Sequence, residues 1–136
     1  LGSSSFHVPM PNKLAGLGYI FCQNFLIETK NNYRISFSAG RDYEEHVQHA
    51  AKERPNLMLR HRIRSYTPEY YASQMEMMGA QLMMPLHHNN ARAAGEDLNE
   101  YFEKVNNILQ EHHYPGCAFN PEPYKWYSIA TSIQGI

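Results

Sequence analysis

Hydrophobic and polar positions switch period several times along this chain, and each switch marks an element. Tyr33, Ile35 and Phe37 alternate with Arg34, Ser36 and Ser38, the period of a half-buried strand. Just before it, Phe25-Leu26-Ile27-Glu28-Thr29 suits a buried strand, and Lys30-Asn31-Asn32 makes a turn between the two. A hairpin of both is therefore one option, and which is the first core strand stays open. Over 41–54 the period lengthens: Tyr43, Val47 and Ala50 recur at helical spacing. Asp42, Glu44 and Glu45 sit in the first turn, where the dipole favours acids, and Pro55 ends the helix.

From Leu57 the period returns to two. Leu57, Leu59, His61 and Ile63 alternate with Met58, Arg60, Arg62 and Arg64, which predicts a strand. Thr67 then caps a second helix with Pro68 at its first position, fading near Met78-Gly79. Ala80 to Leu86 is a short apolar stretch stopped by Pro85, and predicts a further strand. The strongest pattern predicts a helix from about Gly95 to His112. There Leu98, Tyr101, Phe102, Val105, Ile108 and Leu109 form one buried stripe.

The ends read differently. Residues 1–13 carry Pro9 and Pro11 and predict an extended arm, 14–112 the folded domain, and 113–136 a C-terminal docking tail. Within 14–29 the chain is apolar around Gly16 and Gly18. Past Pro115-Gly116, turns run to Pro123, and the β-favouring stretch Tyr124 to Ile133 is too short to fold alone. The order of parts over 38–72 is a β-α-β-α run.

Composition narrows the function classes. A chain of 136 residues supplies one sizeable core, and 43% hydrophobic residues leave part of it to be buried by a partner. Twelve basic and 13 acidic residues give a net charge of −1, so nucleic-acid contact requires a local cluster rather than a global field. Cys22 and Cys117 make no CxxC or zinc spacing, which favours a reducing compartment. No apolar run approaches the ~20 residues that cross a bilayer. The first residue is Leu1, which fits a cleaved leader and a trimmed sequence equally.

Eight histidines raise the question of a metal. His46 and His49 share a helix, while His87-His88 and His112-His113 are adjacent pairs near loop or helix ends. Zinc needs ligands converging on one point, and these spacings favour surface or capping histidines instead. No context selects a cysteine nucleophile, a phosphate loop or a catalytic triad. The expectation is a protein with no metal, no cofactor and no enzymatic activity.

The arginines carry more weight. Arg60, Arg62 and Arg64 alternate on one strand, about 7 Å apart along it. Such a row matches phosphate through bidentate forks, or else protects a solvated edge strand. Lys13, Arg34, Arg41 and Lys125 are candidates to enlarge the patch.

At this point a resemblance enters. Ser38-Ala39-Gly40-Arg41-Asp42-Tyr43 resembles the Ser/Gly-rich lead-in to the first helix of the thioredoxin-like group. That group includes mitochondrial ribosomal proteins and a small peripheral subunit of respiratory complex I. Pro55 before an apolar strand is similar to the group's second-strand start, with Arg54 in place of the usual asparagine. Pro68-Glu69-Tyr70-Tyr71-Ala72 is similar to its proline-opened second helix, and no redox cysteines stand where a thioredoxin carries them. Gly16-Leu17-Gly18-Tyr19 and Ser132-Ile133-Gln134-Gly135 resemble motifs of the large-subunit ribosomal branch.

The resemblance implies an α/β, thioredoxin-like three-layer fold, a small mixed sheet flanked by helices, with the 57–63 strand at a sheet edge. It also implies a non-catalytic structural protein of the mitochondrial large ribosomal subunit, located in the matrix. Its partners would be ribosomal RNA, through Lys13, Arg34, Arg41, Arg60, Arg62, Arg64 and Lys125, and neighbouring mitochondrial ribosomal proteins. The alternative it implies is an accessory subunit of complex I.

Overall fold

The computed structural model of the chain describes residues 2–6, 24–38, 44–86 and 89–129. It is an α/β fold with a small mixed sheet flanked by helices, consistent with the thioredoxin-like class expected from the sequence. The strands are β1 (Gly2–Phe6), β2 (Asn24–Glu28), β3 (Arg34–Ser38), β4 (Leu57–His61), β5 (Leu82–Leu86) and β6 (Cys117–Ala118). The helices are α1 (Glu44–Lys52), α2 (Pro68–Met78), α3 (Asn89–Ala93) and α4 (Leu98–Glu111).

The six strands lie side by side in the order in which the chain meets them. β1, β2 and β3 are antiparallel, and β3, β4, β5 and β6 run parallel. Each parallel step passes through helix, and right-handed crossovers advancing in one direction lay their helices on one face of the sheet. The core agrees, because Val47 and Ala50 of α1, Met75 and Met78 of α2, and Phe102 and Leu109 of α4 form one cluster.

Strand register tells the two faces apart. Leu26, Ser36, Met58, Met83 and Ala118 are aligned across the sheet, and all are buried beneath the helices. Of their neighbours in sequence, which point the other way, Phe25, Phe37, Leu59 and Met84 are half-buried, Ile27 is exposed and Leu57 is buried.

Local chemistry explains the boundaries. Thr67 Oγ1 accepts the Tyr70 N–H at 3.3 Å, with Pro68 in the first turn of α2. Gly79 closes that helix in the left-handed region, at φ 66°. Asp97 caps α4, accepting from the N–H groups of Asn99 and Glu100. Between β2 and β3 the turn closes through Thr29 N–H to Tyr33 O at 2.9 Å, so the hairpin option is the one realised.

Three expectations change. The N-terminal arm is extended, as read, but over Gly2–Phe6 it joins the sheet as an outer strand beside β2. Pro85 does not stop β5, which continues to Leu86. The Met83 carbonyl faces β6 and accepts from Phe119, and β6 ends level with Met83, so the missing Pro85 N–H falls where no strand needs it. Finally, β4 is an interior strand between β3 and β5, not an edge.

Candidate functional site

In an open parallel sheet, ligands gather outside the carboxyl ends of the strands, where loops and helix N-termini meet. Here those ends belong to β3, β4 and β5. Ser38, Arg60 and Pro85 are aligned across the last rung, and all three are buried. One step further, His61 ends β4 opposite Leu86, with its side chain half-buried on the sheet face away from the helices. Tyr71 fixes that backbone: its hydroxyl donates to His61 O at 2.5 Å and accepts from Ile63 N at 3.2 Å.

The sequence beyond the neighbouring ends is rich in donor groups. β3 is followed by 39–43, which contains Asp42, and β5 is followed directly by His87-His88. Both stretches lie outside the described residues, as does the side chain of His46. Among the described residues, no three His, Cys, Asp or Glu side chains come together as a metal centre requires.

The basic residues are distributed otherwise than the row on one exposed face predicts. Arg60 is 2% exposed and its Nη2 lies 3.1 Å from Met78 Sδ in α2. Arg62 is also buried, its guanidinium bonded to the carbonyls of Ile63 and Tyr66 and paired with Glu96. Its Cζ lies 3.8 Å above the centre of the Tyr101 ring. Arg64 is exposed but falls beyond the end of β4. Arg34 pairs with Glu28 at 2.9 Å and donates to Glu53 O, holding the β2–β3 hairpin to the end of α1. Lys125 is exposed on the tail and pairs with Glu122 at 2.5 Å. Lys13 and Arg41 lie outside the described residues.

The physical reason is a matter of parity. Met58, Arg60 and Arg62 share the face turned to the helices, while Leu57, Leu59 and His61 take the other. With both sets able to be buried on an interior parallel strand, alternation alone does not choose between them. Sequence reasoning missed Glu96 and Tyr101 as the partners of Arg62. Met58 was the available signal, since a methionine in the arginine set marks that set as core-facing.

Arg62 does structural work on the rim of the site. It ties the loop after β4 to the α3–α4 connection through Glu96 and to α4 through Tyr101. The Tyr101 hydroxyl donates to Tyr66 O at 2.5 Å, and burial pushes its pKa well above the ordinary tyrosine range despite the opposing charge of Arg62.

No family model matches this chain, and no curated protein matches it. Among solved structures it is similar to Igni18, a metallo hydrolase from the hyperthermophilic archaeon Ignicoccus hospitalis KIN4/I. The TM-score is 0.60 at 15% identity, covering 96% of this chain and 55% of the other. The likeness is one of fold, and this chain spans about half the length of that structure. It corrects the expectation of a non-enzyme, since a similar arrangement of elements occurs in a metallo hydrolase.

Proposed function

We propose that this chain forms part of a metal-dependent hydrolase domain, with its reacting centre outside the carboxyl ends of β3, β4 and β5. One observation carries the reading: His61 ends β4, in the middle of three parallel strands whose fold a metallo hydrolase shares. Two further donor-bearing stretches, with Asp42 and His87-His88, follow the flanking strands in sequence. Histidine and carboxylate are the donors a hydrolytic zinc or similar ion takes, and such an ion, when bound, supplies an activated water.

The described residues by themselves make an incomplete donor set, so no catalytic step is assigned to any side chain. What they do is position. Tyr71 fixes the backbone at His61, and Arg62 with Glu96 and Tyr101 anchors the following loop.

Metal analysis of the purified protein tests the reading. Stoichiometric retention of a divalent ion, lost together in Asp42→Ala and His87→Ala with unchanged circular dichroism, is the expected result. A protein that takes up no ion under zinc, manganese or iron(II) loading overturns it.

Assembly into the mitochondrial large ribosomal subunit is a second reading, favoured by one feature of the tail. Tyr124 and Trp126 are fully exposed on either side of Lys125, which suits stacking on RNA bases or docking on a neighbouring protein. RNA binding whose affinity falls steeply with salt, and which weakens on Trp126→Ala, supports it. Salt-independent or absent binding removes it.

A further inference from the structure

The exposed side of α4 carries two polar strips of different chemistry. One is charged: Glu100 and Lys104 stand one turn apart and pair at 2.6 Å, as on an ordinary solvated helix. The other holds Asn99, Glu103, Asn107 and Gln110, which recur at helical spacing with all four side chains exposed. Asparagine is a weak helix former, so helix propensity does not account for this second strip.

The carboxamide strip is one wall of a groove of about 480 Å³. That volume falls among small-molecule sites, which run from about 300 to 1,000 Å³. Phe119 and Asn120, in the segment that follows β6, line it as well. At one end Asn120 Nδ2 donates to Asn99 Oδ1 at 2.7 Å, which fixes both amides in place. Asn106 lies beside the strip and is spent on the Ala118 backbone, to which it both donates and accepts.

We propose that this groove binds a neutral oligosaccharide. Charge comes first: among the described residues that line the groove there is no Lys or Arg, while Glu103 is there, so phosphate- or carboxylate-bearing ligands are repelled. Hydrogen-bond chemistry comes second. A carboxamide both donates and accepts, as a sugar hydroxyl does, and the Glu103 carboxylate accepts from hydroxyls on neighbouring carbons. Third, Phe119 offers an aromatic wall to the apolar face of a sugar ring. An extended peptide is served less well, because Asn106 already occupies the Ala118 N–H and C=O that strand addition would use. From Asn99 to Gln110 the strip rises about 16 Å, which suits several linked rings rather than one.

The groove shares no residue with the proposed reacting centre, and binding is read without turnover, so the two readings fail separately. The test is a nuclear magnetic resonance titration of the nitrogen-labelled protein with cellotetraose, maltotetraose and chitotetraose. It follows the side-chain amide signals of Asn99, Asn107, Gln110 and Asn120. A saturating shift of these signals by one of the sugars, below about 10 mM, is the expected result. Asn107→Ala combined with Gln110→Ala replaces two exposed residues by the best helix former, and thermal melts check that the fold is kept. This double variant is expected to bind about tenfold more weakly, while Lys104→Ala on the charged strip binds as the parent does. Glu103→Gln keeps the shape, removes the charge and is expected to weaken binding several-fold. No saturation with any of the three sugars overturns the proposal. Full binding in the double variant overturns it too, as does a tetra-alanine peptide that shifts the same signals where the sugars do not.

Discussion

Asn106 holds Ala118 as a neighbouring strand would. Its Nδ2 donates to Ala118 O at 3.0 Å and its Oδ1 accepts from Ala118 N at 2.7 Å. β6 is the last strand of the sheet, and this carboxamide on α4 satisfies the backbone groups that the edge turns outward. A side chain thus closes a sheet edge that would otherwise pair with another chain.

Replacing Asn106 with leucine keeps the volume and removes both bonds. The expected loss is about 2 kcal/mol, two hydrogen bonds at about 1 kcal/mol each. Urea unfolding gives the loss directly. Light scattering is expected to rise in the variant as the β6 edge opens, and a variant as stable and as monodisperse as the parent would refute the role.

Arg62 sits in a buried pair, with its side chain 3% exposed and that of Glu96 23% exposed. Arg62→Ala strands Glu96 and empties the space above Tyr101, for an expected cost of about 3 kcal/mol. Arg62→Met combined with Glu96→Leu is expected to recover most of it, because a packed apolar pair needs no desolvation. Denaturant midpoints of the two variants decide the matter, and equal losses would place the effect outside the ion pair.

Tyr101 makes stability fall at high pH. Its folded-state pKa is raised, chiefly by burial, so the folded form holds a proton that the unfolded chain gives up at about pH 10. Stability is therefore full below that value and declines as pH rises beyond it. Thermal melts from about pH 8 to pH 11 are expected to show the decline beginning near the ordinary tyrosine pKa. Tyr101→Phe should flatten it in part. Tyr114 and Tyr33, raised by the same cause, keep the remaining slope.

Gly116 passes close to the start of β5. A Cβ there would lie 2.5 Å from Tyr114 Cε1 and 2.8 Å from Ala80 O. The Ala80 carbonyl also accepts from the Tyr114 hydroxyl at 2.7 Å, so neither neighbour moves freely. Gly116→Ala is expected to cost about 1–3 kcal/mol by overpacking. Gly95→Ala is the contrast: nothing lies within 4 Å there, and its φ of 79° limits the cost to backbone strain, about 1 kcal/mol.

Much of the fold was legible before any coordinates. The caps at Thr67 and the stop at Gly79 depend on residues within one turn of the helix end, and the 98–109 stripe on a single period. Local chemistry of this kind is written in consecutive residues. The candidate site was less legible. Arg60 and Arg62 read as a phosphate-facing row and turned out to point into the helix layer, because an interior parallel strand is buried on both sides. Asn106 lies between the apolar positions of the α4 stripe and bonds the Ala118 backbone. Its partner is a backbone twelve residues on, which no pattern encodes.

The amino-acid order alone determined the helices α1, α2 and α4 and the strands β3, β4 and β5, and where α2 stops, and it left the β2–β3 hairpin as one option. Those outcomes rest on propensity, capping and turn chemistry between near neighbours. Only the tertiary structure decided the order of the six strands and the burial of Arg60 and Arg62. A strand's two faces differ only by what packs on each, and that is settled by segments distant in the chain.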